Sequence, residues 1–247
     1  MRHRFRVQPR YGERVADHDR ADLLLVLAID LSYSISPEDG RMQVEGYRAA
    51  LSDPRVLDAI MSGARGVVGL AAVGWAGLGF QKVLVPWQRI TDARNAAAFA
   101  AMLDAAWAPA QEEAASEAFP NGAMTCISRG IDHARGVLLD APWDAARRVI
   151  DVSGDGPNNE GPPAEEARDR AVAEGITING LAIEGDSDVT LVLGAGATLT
   201  EYYRDAVIGG PGAFVVTAEN MRAFAEAIRR KLIQEIAGHA PTTGSAT

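Results

Sequence analysis

The sequence predicts an α/β domain built on a mostly parallel, doubly wound sheet with helices on both faces. A continuous apolar run at residues 23–29 is typical of a strand buried on both sides. The alternation of strand-like and helix-like segments favours parallel strands joined by crossover helices. One short connection, Gly77 to Gly79, suits a hairpin. We therefore expect about six strands, one of them antiparallel and at an edge.

In the first half of the chain, the patterns predict three strands and three helical segments. The strands are expected at 23–29, 66–75 and 82–87, and the helices after Ser36, at 56–60 and at 92–107. Ser36 is the expected N-cap, with Pro37 at the first helical position and Asp39 as the acid of a capping box. Pro86 in the third strand is tolerated at a sheet edge. Residues 109–121 are expected to form a loop.

In the second half, the alternation continues. The predicted elements are a helix at 125–140, a strand at 148–153, a helix at 163–174, a strand at 176–183, helical segments at 187–207, a strand at 213–217 and a helix at 219–237. The folded domain is expected to span residues 21–237. Residues 1–20 are expected to be a flexible, arginine-rich segment and residues 238–247 a disordered tail.

Composition limits the possible functions. The 247 residues fit one domain, and a hydrophobic content of 47% is enough for a large core. A net charge of -9 argues against a nucleic-acid partner, which would require a basic surface. No stretch has the roughly 18 apolar residues of a membrane span. The sequence as written favours the cytoplasm, and a start site further upstream would allow a periplasmic or secreted location.

Polar side chains from three distant segments are expected to meet at the carboxyl edge of the sheet. Asp30, Ser32 and Ser34 follow the first strand, Thr125 opens a helix, and Asp155 follows the fourth strand. All five offer hard oxygen donors, which suit Mg²⁺ better than zinc. In an alternative interpretation the aspartates only cap helices and neutralise their dipoles. Thr125 by itself would be an ordinary helix N-cap.

The pattern Asp-x-Ser-x-Ser, then Thr, then Asp resembles the metal-ion-dependent adhesion site of von Willebrand factor type A (vWA) domains. The stretches 25–30, 43–51, 151–159 and 175–183 resemble a bacterial branch of uncharacterised proteins with this domain. The resemblance implies a Rossmann-like sheet of six strands, the third antiparallel, with Mg²⁺ or Mn²⁺ bound on top. It also implies that a carboxylate from a partner protein completes the coordination of the metal.

By position, the resemblance assigns a role to each donor. The hydroxyls of Ser32, Ser34 and Thr125 would contact the metal, and Asp30 and Asp155 would hold it directly or through water. The sequence departs from the family pattern at Tyr33 and Met124, where glycine is common, but neither change removes a donor.

Three further residues near these donors are candidates for supporting roles. Tyr33, Asn158 and Asn159 are candidates for partner contacts or for supporting the water shell of the metal. The two asparagines are also typical turn residues.

The binding function has two alternatives. A metal-dependent phosphohydrolase would place an aspartate after the first strand, but it needs a second carboxylate two residues later, where this chain has Ser32. The sequence also lacks a Gly-x-Ser-x-Gly elbow, a Gly-x-Gly-x-x-Gly turn and a P-loop. The other alternative is a degenerate, metal-free scaffold. We therefore expect a protein-binding module and not an enzyme.

Overall fold

The computed structural model describes residues 20–119, 124–185 and 192–238. The described residues contain a six-stranded sheet in the order β3-β2-β1-β4-β5-β6. Its strands are β1 (Arg20–Asp30), β2 (Val68–Trp75), β3 (Gln81–Ile90), β4 (Asp144–Gly154), β5 (Thr177–Ile183) and β6 (Val215–Ala218). Only β3 runs antiparallel to its neighbour. The predicted fold class, with the antiparallel strand at an edge, is confirmed.

Helices cover both faces of this sheet. They are α1 (Pro37–Leu51), α2 (Pro54–Met61), α3 (Ala93–Ala114), α4 (Ile127–Leu139), α5 (Ala164–Ala173), α6 (Leu199–Tyr202) and α7 (Phe224–Ala237). A π-helical turn at Tyr203–Val207 follows α6, and a 3₁₀ turn at Met221–Ala223 precedes α7. Helices α1, α2, α3 and α7 bury their apolar residues on one face, and α4, α5 and the π-helical turn bury theirs on the other.

The first strand belongs to both cores. Leu23, Leu25 and Leu27 pack on the α1 side, whereas Leu24 and Val26 pack on the α4 side, because successive side chains point to opposite faces. This explains why residues 23–29 of β1 are apolar without interruption. The strand that carries Asp30 is therefore buried along most of its length.

Helix α1 begins as its sequence predicts. Ser36 is the N-cap, its hydroxyl oxygen accepts a hydrogen bond from the Asp39 backbone N–H at 3.1 Å, and Pro37 occupies the first helical position. The same hydroxyl donates to Asp39 Oδ2 at 2.6 Å. These bonds fix the end of the loop between β1 and α1, from which the candidate ligands Ser32 and Ser34 extend.

The prediction of a loop from residue 109 onwards is wrong for residues 109–114, which continue α3 through Pro109 to Ala114. Ala110 and Ala114 are buried in the core on the α1 side, and this burial outweighs the hydrogen bond that a proline removes from a helix. Strand β4 also begins earlier than expected, because Asp144 pairs with Arg20 at the start of β1.

Some predictions fall outside the described residues. The flexible segment 1–20 is described only at Arg20, which begins β1, and the tail 238–247 only at Gly238. Of the helical segments expected at 187–207, residues 187–191 lie outside the described part. No helix within the described ranges is long and apolar enough to cross a membrane.

Each edge of the sheet is short or irregular. Pro86 lies in the edge strand β3, and the pairing of β3 with β2 shifts register on both sides of Ala72. At the opposite edge, β6 has only four residues. Strand pairing is therefore interrupted at one edge and short at the other.

Candidate metal site

The candidate site lies at the carboxyl ends of two neighbouring strands. Strand β1 pairs in parallel with β4 up to Ile29 and Ser153, so the loops that follow them open side by side. Asp30 is the last residue of β1, and Asp155 comes directly after β4. The crevice between these loops is where ligands bind in open α/β sheets.

Asp30 is fully buried, and half of its carboxylate is satisfied by the chain. Its Oδ1 accepts a hydrogen bond from the Ser32 backbone N–H at 2.8 Å. Its Oδ2 has no hydrogen-bond partner among the described residues. Burial, and then the negative charge of Asp155, raise the pKa of Asp30 well above its usual value, although the bonds from Ser32 oppose this shift. The carboxylate therefore lies where a cation would stabilise its charged form.

Two serine hydroxyls connect the β1 loop to the β4 loop. The Oγ atoms of Ser32 and Ser34 are 3.1 Å apart, and Ser34 Oγ donates a hydrogen bond to Asp155 Oδ1 at 2.7 Å. Ser32 is buried, whereas Ser34 is exposed. The structure thus brings together four of the five predicted donors in one chain of contacts that runs from the core to the surface.

Thr125 is held against the same loop by its backbone. Its N–H donates to Asn159 Oδ1 at 2.8 Å, and its carbonyl oxygen accepts from the Asn159 N–H at 2.9 Å. Its hydroxyl oxygen lies 3.6 Å from where a Cβ on Gly156 would stand. The N-cap of α4 is Cys126, and no side chain caps that helix. The interpretation of Thr125 as an ordinary helix cap is therefore wrong, and its hydroxyl lies beside the residue that follows Asp155.

The two asparagines shape the loop after β4. Asn158 Oδ1 accepts from the Ser128 N–H at 3.2 Å, and its Nδ2 donates to the carbonyl oxygens of Glu160 at 2.9 Å and Pro162 at 3.1 Å. Asn159 holds Thr125. Their described contacts are those of supporting residues, which position the loops without contacting Asp30. Tyr33 instead extends into solvent, with 77% of its surface exposed.

Sequence reasoning missed Tyr203 and Gly154. Tyr203 is fully buried in the π-helical turn, and its hydroxyl has no hydrogen-bond partner among the described residues. A Cβ on Gly154 would stand 2.8 Å from both Asp30 Oδ2 and the Tyr203 hydroxyl. Glycine is therefore required there so that both groups can approach the end of β4. A π-helical turn leaves no readable pattern in a single sequence, so nothing pointed to Tyr203.

The side chains present fit a small, hard cation. The donors are two carboxylates and three hydroxyls, and one buried carboxylate oxygen lacks a partner in the part of the chain that the structure describes. Within the described ranges, no group of three or more His, Cys, Asp or Glu side chains could hold a metal. A cation at this edge would therefore depend on the hydroxyls as well as on Asp30 and Asp155.

Solved structures with this fold include vWA-domain proteins. Proximal thread matrix protein 1 from the mussel byssus has a TM-score of 0.53 at 16% identity, and the match covers 89% of this chain and 49% of that one. The SpaC pilus adhesin of Lactobacillus rhamnosus GG has a TM-score of 0.57 at 12% identity, covering 87% and 31%. The chain thus spans half or less of the length of these proteins.

A third structure matches over nearly its whole length. The vWF domain of the pilus tip protein Mfa5 from Porphyromonas gingivalis has a TM-score of 0.51 at 12% identity, and the match covers 87% of this chain and 97% of that domain. At these identities the comparisons establish the fold, which is that of a vWA domain.

Comparison by sequence gives the family. No curated protein matches the sequence. A family described as a protein of unknown function (DUF1194) matches residues 20–240, which include every candidate ligand. The chain therefore belongs to the DUF1194 family and has the fold of a vWA domain.

Proposed function

We propose that this protein is a protein-binding module that depends on a divalent cation held by Asp30, Ser32, Ser34, Thr125 and Asp155. The observation that carries the proposal is the buried Asp30 Oδ2, which has no partner among the described residues and lies beside a second carboxylate. A buried carboxylate oxygen without a partner is costly unless a ligand completes it.

The cation is proposed to be Mg²⁺ or Mn²⁺. Both prefer the carboxylate and hydroxyl oxygens that the site offers. One structure of the mussel thread matrix protein is described as having a zinc-occupied metal-ion-dependent adhesion motif. A test of metal preference therefore includes Zn²⁺ as well.

The partner is proposed to be a protein that contributes a carboxylate. Only two of the five proposed donors are carboxylates, and the remaining three are neutral hydroxyls. A bound cation with so few anionic ligands would remain electrophilic, and an open coordination position on it would accept one further anionic group. Ser34 and Tyr33 are exposed, so this edge of the site is open to a partner. SpaC is described as a pilus adhesin and Mfa5 as a pilus tip protein, which is consistent with such a role.

We also propose that the site binds without catalysing a reaction. The position two residues after Asp30, where a phosphohydrolase of this architecture needs a second carboxylate, carries the buried hydroxyl of Ser32. Mg²⁺-stimulated hydrolysis of para-nitrophenyl phosphate that is lost in Asp30→Asn would contradict this proposal.

Isothermal titration of the purified chain with Mg²⁺, Mn²⁺ and Zn²⁺ tests the metal site. We expect saturable binding of Mg²⁺ or Mn²⁺, weakened at least about tenfold by Asp30→Asn, since the amide removes one charge from the site. The matched control is Asp58→Asn, which removes the same charge from an exposed position on α2. Circular dichroism of each variant checks the fold. If no cation binds, the metal-free scaffold is the correct interpretation. If Asp30→Asn binds as well as the native chain, the cation is not held by Asp30 and the proposed site is wrong.

A further inference from the structure

Two clefts of different chemistry flank the candidate metal site. One, of about 480 Å³, is lined by Asp155 and by residues of α1, the end of β5 and the 3₁₀ turn. The other, of about 630 Å³, lies between the β1–α1 loop and α3 and is lined by Ser32 and Tyr33. Ser36 lines both clefts, so they adjoin each other at the start of α1. We call them the acidic cleft and the apolar groove.

The acidic cleft carries an excess of carboxylates. Besides Asp155, its lining includes Glu38, Asp39 and Glu184, and Arg222 is the cation that the described residues place there. Glu184 and Asp39 are held in place: Glu184 accepts from the Thr200 N–H at 2.9 Å, and Asp39 accepts from the Ser36 hydroxyl. Glu38 is exposed on the first turn of α1. The walls of this cleft therefore favour a cationic side chain.

The apolar groove has no such excess of charge. Its lining includes the apolar residues Leu31, Ile35, Pro37, Trp107 and Ala108. The charged residues in its described lining, Arg41 and Glu112, have opposite signs. A groove of this composition suits an apolar or aromatic side chain, which gains free energy when it leaves water.

We propose that the partner is recognised through one segment, three side chains of which occupy three adjacent sites. An acidic side chain lies at the metal, a lysine or arginine lies in the acidic cleft, and an apolar or aromatic side chain lies in the apolar groove. The inference rests on the proposed function and adds the chemistry of the segment. The acidic cleft repels a carboxylate that arrives alone, so a neighbouring cation both relieves this repulsion and fixes the direction of the segment.

Short synthetic peptides test this proposal. Each peptide is a fluorescent heptapeptide with a central Asp, with Lys, Glu or Gly on one side of it and Phe or Gly on the other. Each pair of flanking residues is also tested in the reverse order. Fluorescence anisotropy measures the affinity of every peptide for the Mg²⁺-loaded chain. We expect the peptide with Lys and Phe on opposite sides of Asp to bind about tenfold more tightly than the Gly-flanked peptide. Replacement of Lys by Glu is expected to abolish this gain.

Two variants test whether the acidic cleft causes the preference for Lys and the apolar groove the preference for Phe. Glu38→Gln is expected to reduce the preference for Lys while leaving that for Phe, and Asp58→Asn, on the remote helix α2, is its control. Ala108→Glu places a charge at an exposed position of the apolar groove and is expected to remove the preference for Phe. Ala101→Glu, two turns earlier on the exposed side of α3, is the matched control.

The outcomes separate the inference from the proposed function. If peptides bind in a Mg²⁺- and Asp-dependent way but with equal affinity whatever their flanks, the inference is overturned and the function stands. Failure of every peptide to bind a chain that does bind Mg²⁺ also overturns the inference. Failure of the chain to bind any cation overturns the proposed function itself.

Discussion

Buried acids lie in two places, Asp151 and Glu235 between α7 and the sheet and Asp30 at the end of β1, and they differ in how their charge is balanced. On the α7 side, Asp151 and Glu235 both contact the fully buried ammonium of Lys231, with Lys231 Nζ 2.6 Å from Asp151 Oδ1. Asn179 Nδ2 also donates to Glu235 Oε1 at 2.9 Å. At the candidate metal site, no lysine or arginine of the described residues acts on Asp30 in this way. Within this part of the chain, a counter-charge is present where acids fasten a helix to the sheet and absent where we propose that a ligand binds.

The largest expected effect comes from removing the internal cation. Lys231→Met leaves Asp151 and Glu235 buried without a counter-charge, and we expect a loss of about 3–5 kcal/mol in the free energy of unfolding. Urea denaturation measures it. Arg230→Met, at the exposed neighbouring position on α7, should change stability by less than about 0.5 kcal/mol. Equal losses in the two variants would show that Lys231 does not balance this cluster.

The same cluster is expected to make stability depend on pH. Burial, and then the charge of Asp151, raise the pKa of Glu235 from 4.5 to about 7, against the opposing effects of Lys231 and Asn179. The folded state thus holds this proton more tightly than the unfolded state. The resulting stability is fully present below about pH 4.5 and is lost as the pH rises through about 7, a change on the order of 3 kcal/mol.

Urea denaturation between pH 5 and 8 measures this dependence. Glu235→Gln cannot lose the proton, so the difference in stability between the native chain and this variant should change with pH in that range. A difference that stays constant from pH 5 to 8 would contradict the raised pKa.

A smaller effect is expected where the metal site is tightly packed. Gly154→Ala would place a methyl group 2.8 Å from both Asp30 Oδ2 and the Tyr203 hydroxyl, and we expect it to destabilise the fold by about 1–3 kcal/mol. The matched control is Gly136→Ala in α4, where nothing lies within 4 Å of the added methyl group. That change should stabilise the helix by about 0.5–1 kcal/mol. Thermal denaturation would show shifts of opposite sign; shifts of the same sign would refute the close approach at Gly154.

The smallest effect on stability is expected from Tyr203→Phe. Comparing this variant with Tyr47→Phe is the most direct way to distinguish the candidate metal site from the acids between α7 and the sheet. Tyr203→Phe removes a hydroxyl without a described partner, so stability should change by less than about 1 kcal/mol, while the Mg²⁺ affinity falls about tenfold. Tyr47→Phe is the counterpart on the other face, where the Tyr47 and Ser153 hydroxyls lie 3.1 Å apart. It should reduce stability and leave Mg²⁺ affinity unchanged, as calorimetric titration would show. Unchanged Mg²⁺ affinity in Tyr203→Phe would remove Tyr203 from the site.

The sequence predicted the sheet and the convergence of Asp30, Ser34 and Asp155, because these depend on buried strands and on the rule that parallel strands place their loops at one edge. It did not predict the path of the chain through Pro109, where tertiary burial overrides local propensity.

The sequence also gave no sign of the cluster around Lys231. Lys231 and Glu235 are four residues apart on α7, a spacing that is typical of an exposed ion pair. In the structure the pair is instead buried, with Lys231 in contact with Asp151 on a distant strand.

The edge strands of the sheet affect whether the protein can aggregate at high concentration. Exposed strand edges are templates on which further chains can add, and a proline with a register break at one border and a four-residue strand at the other interrupt such templates. Growth of fibrils by addition of strands to β3 or β6 is thereby disfavoured. Binding to other proteins at the carboxyl ends of the strands, which we propose, is thus separated from polymerisation through the edge strands.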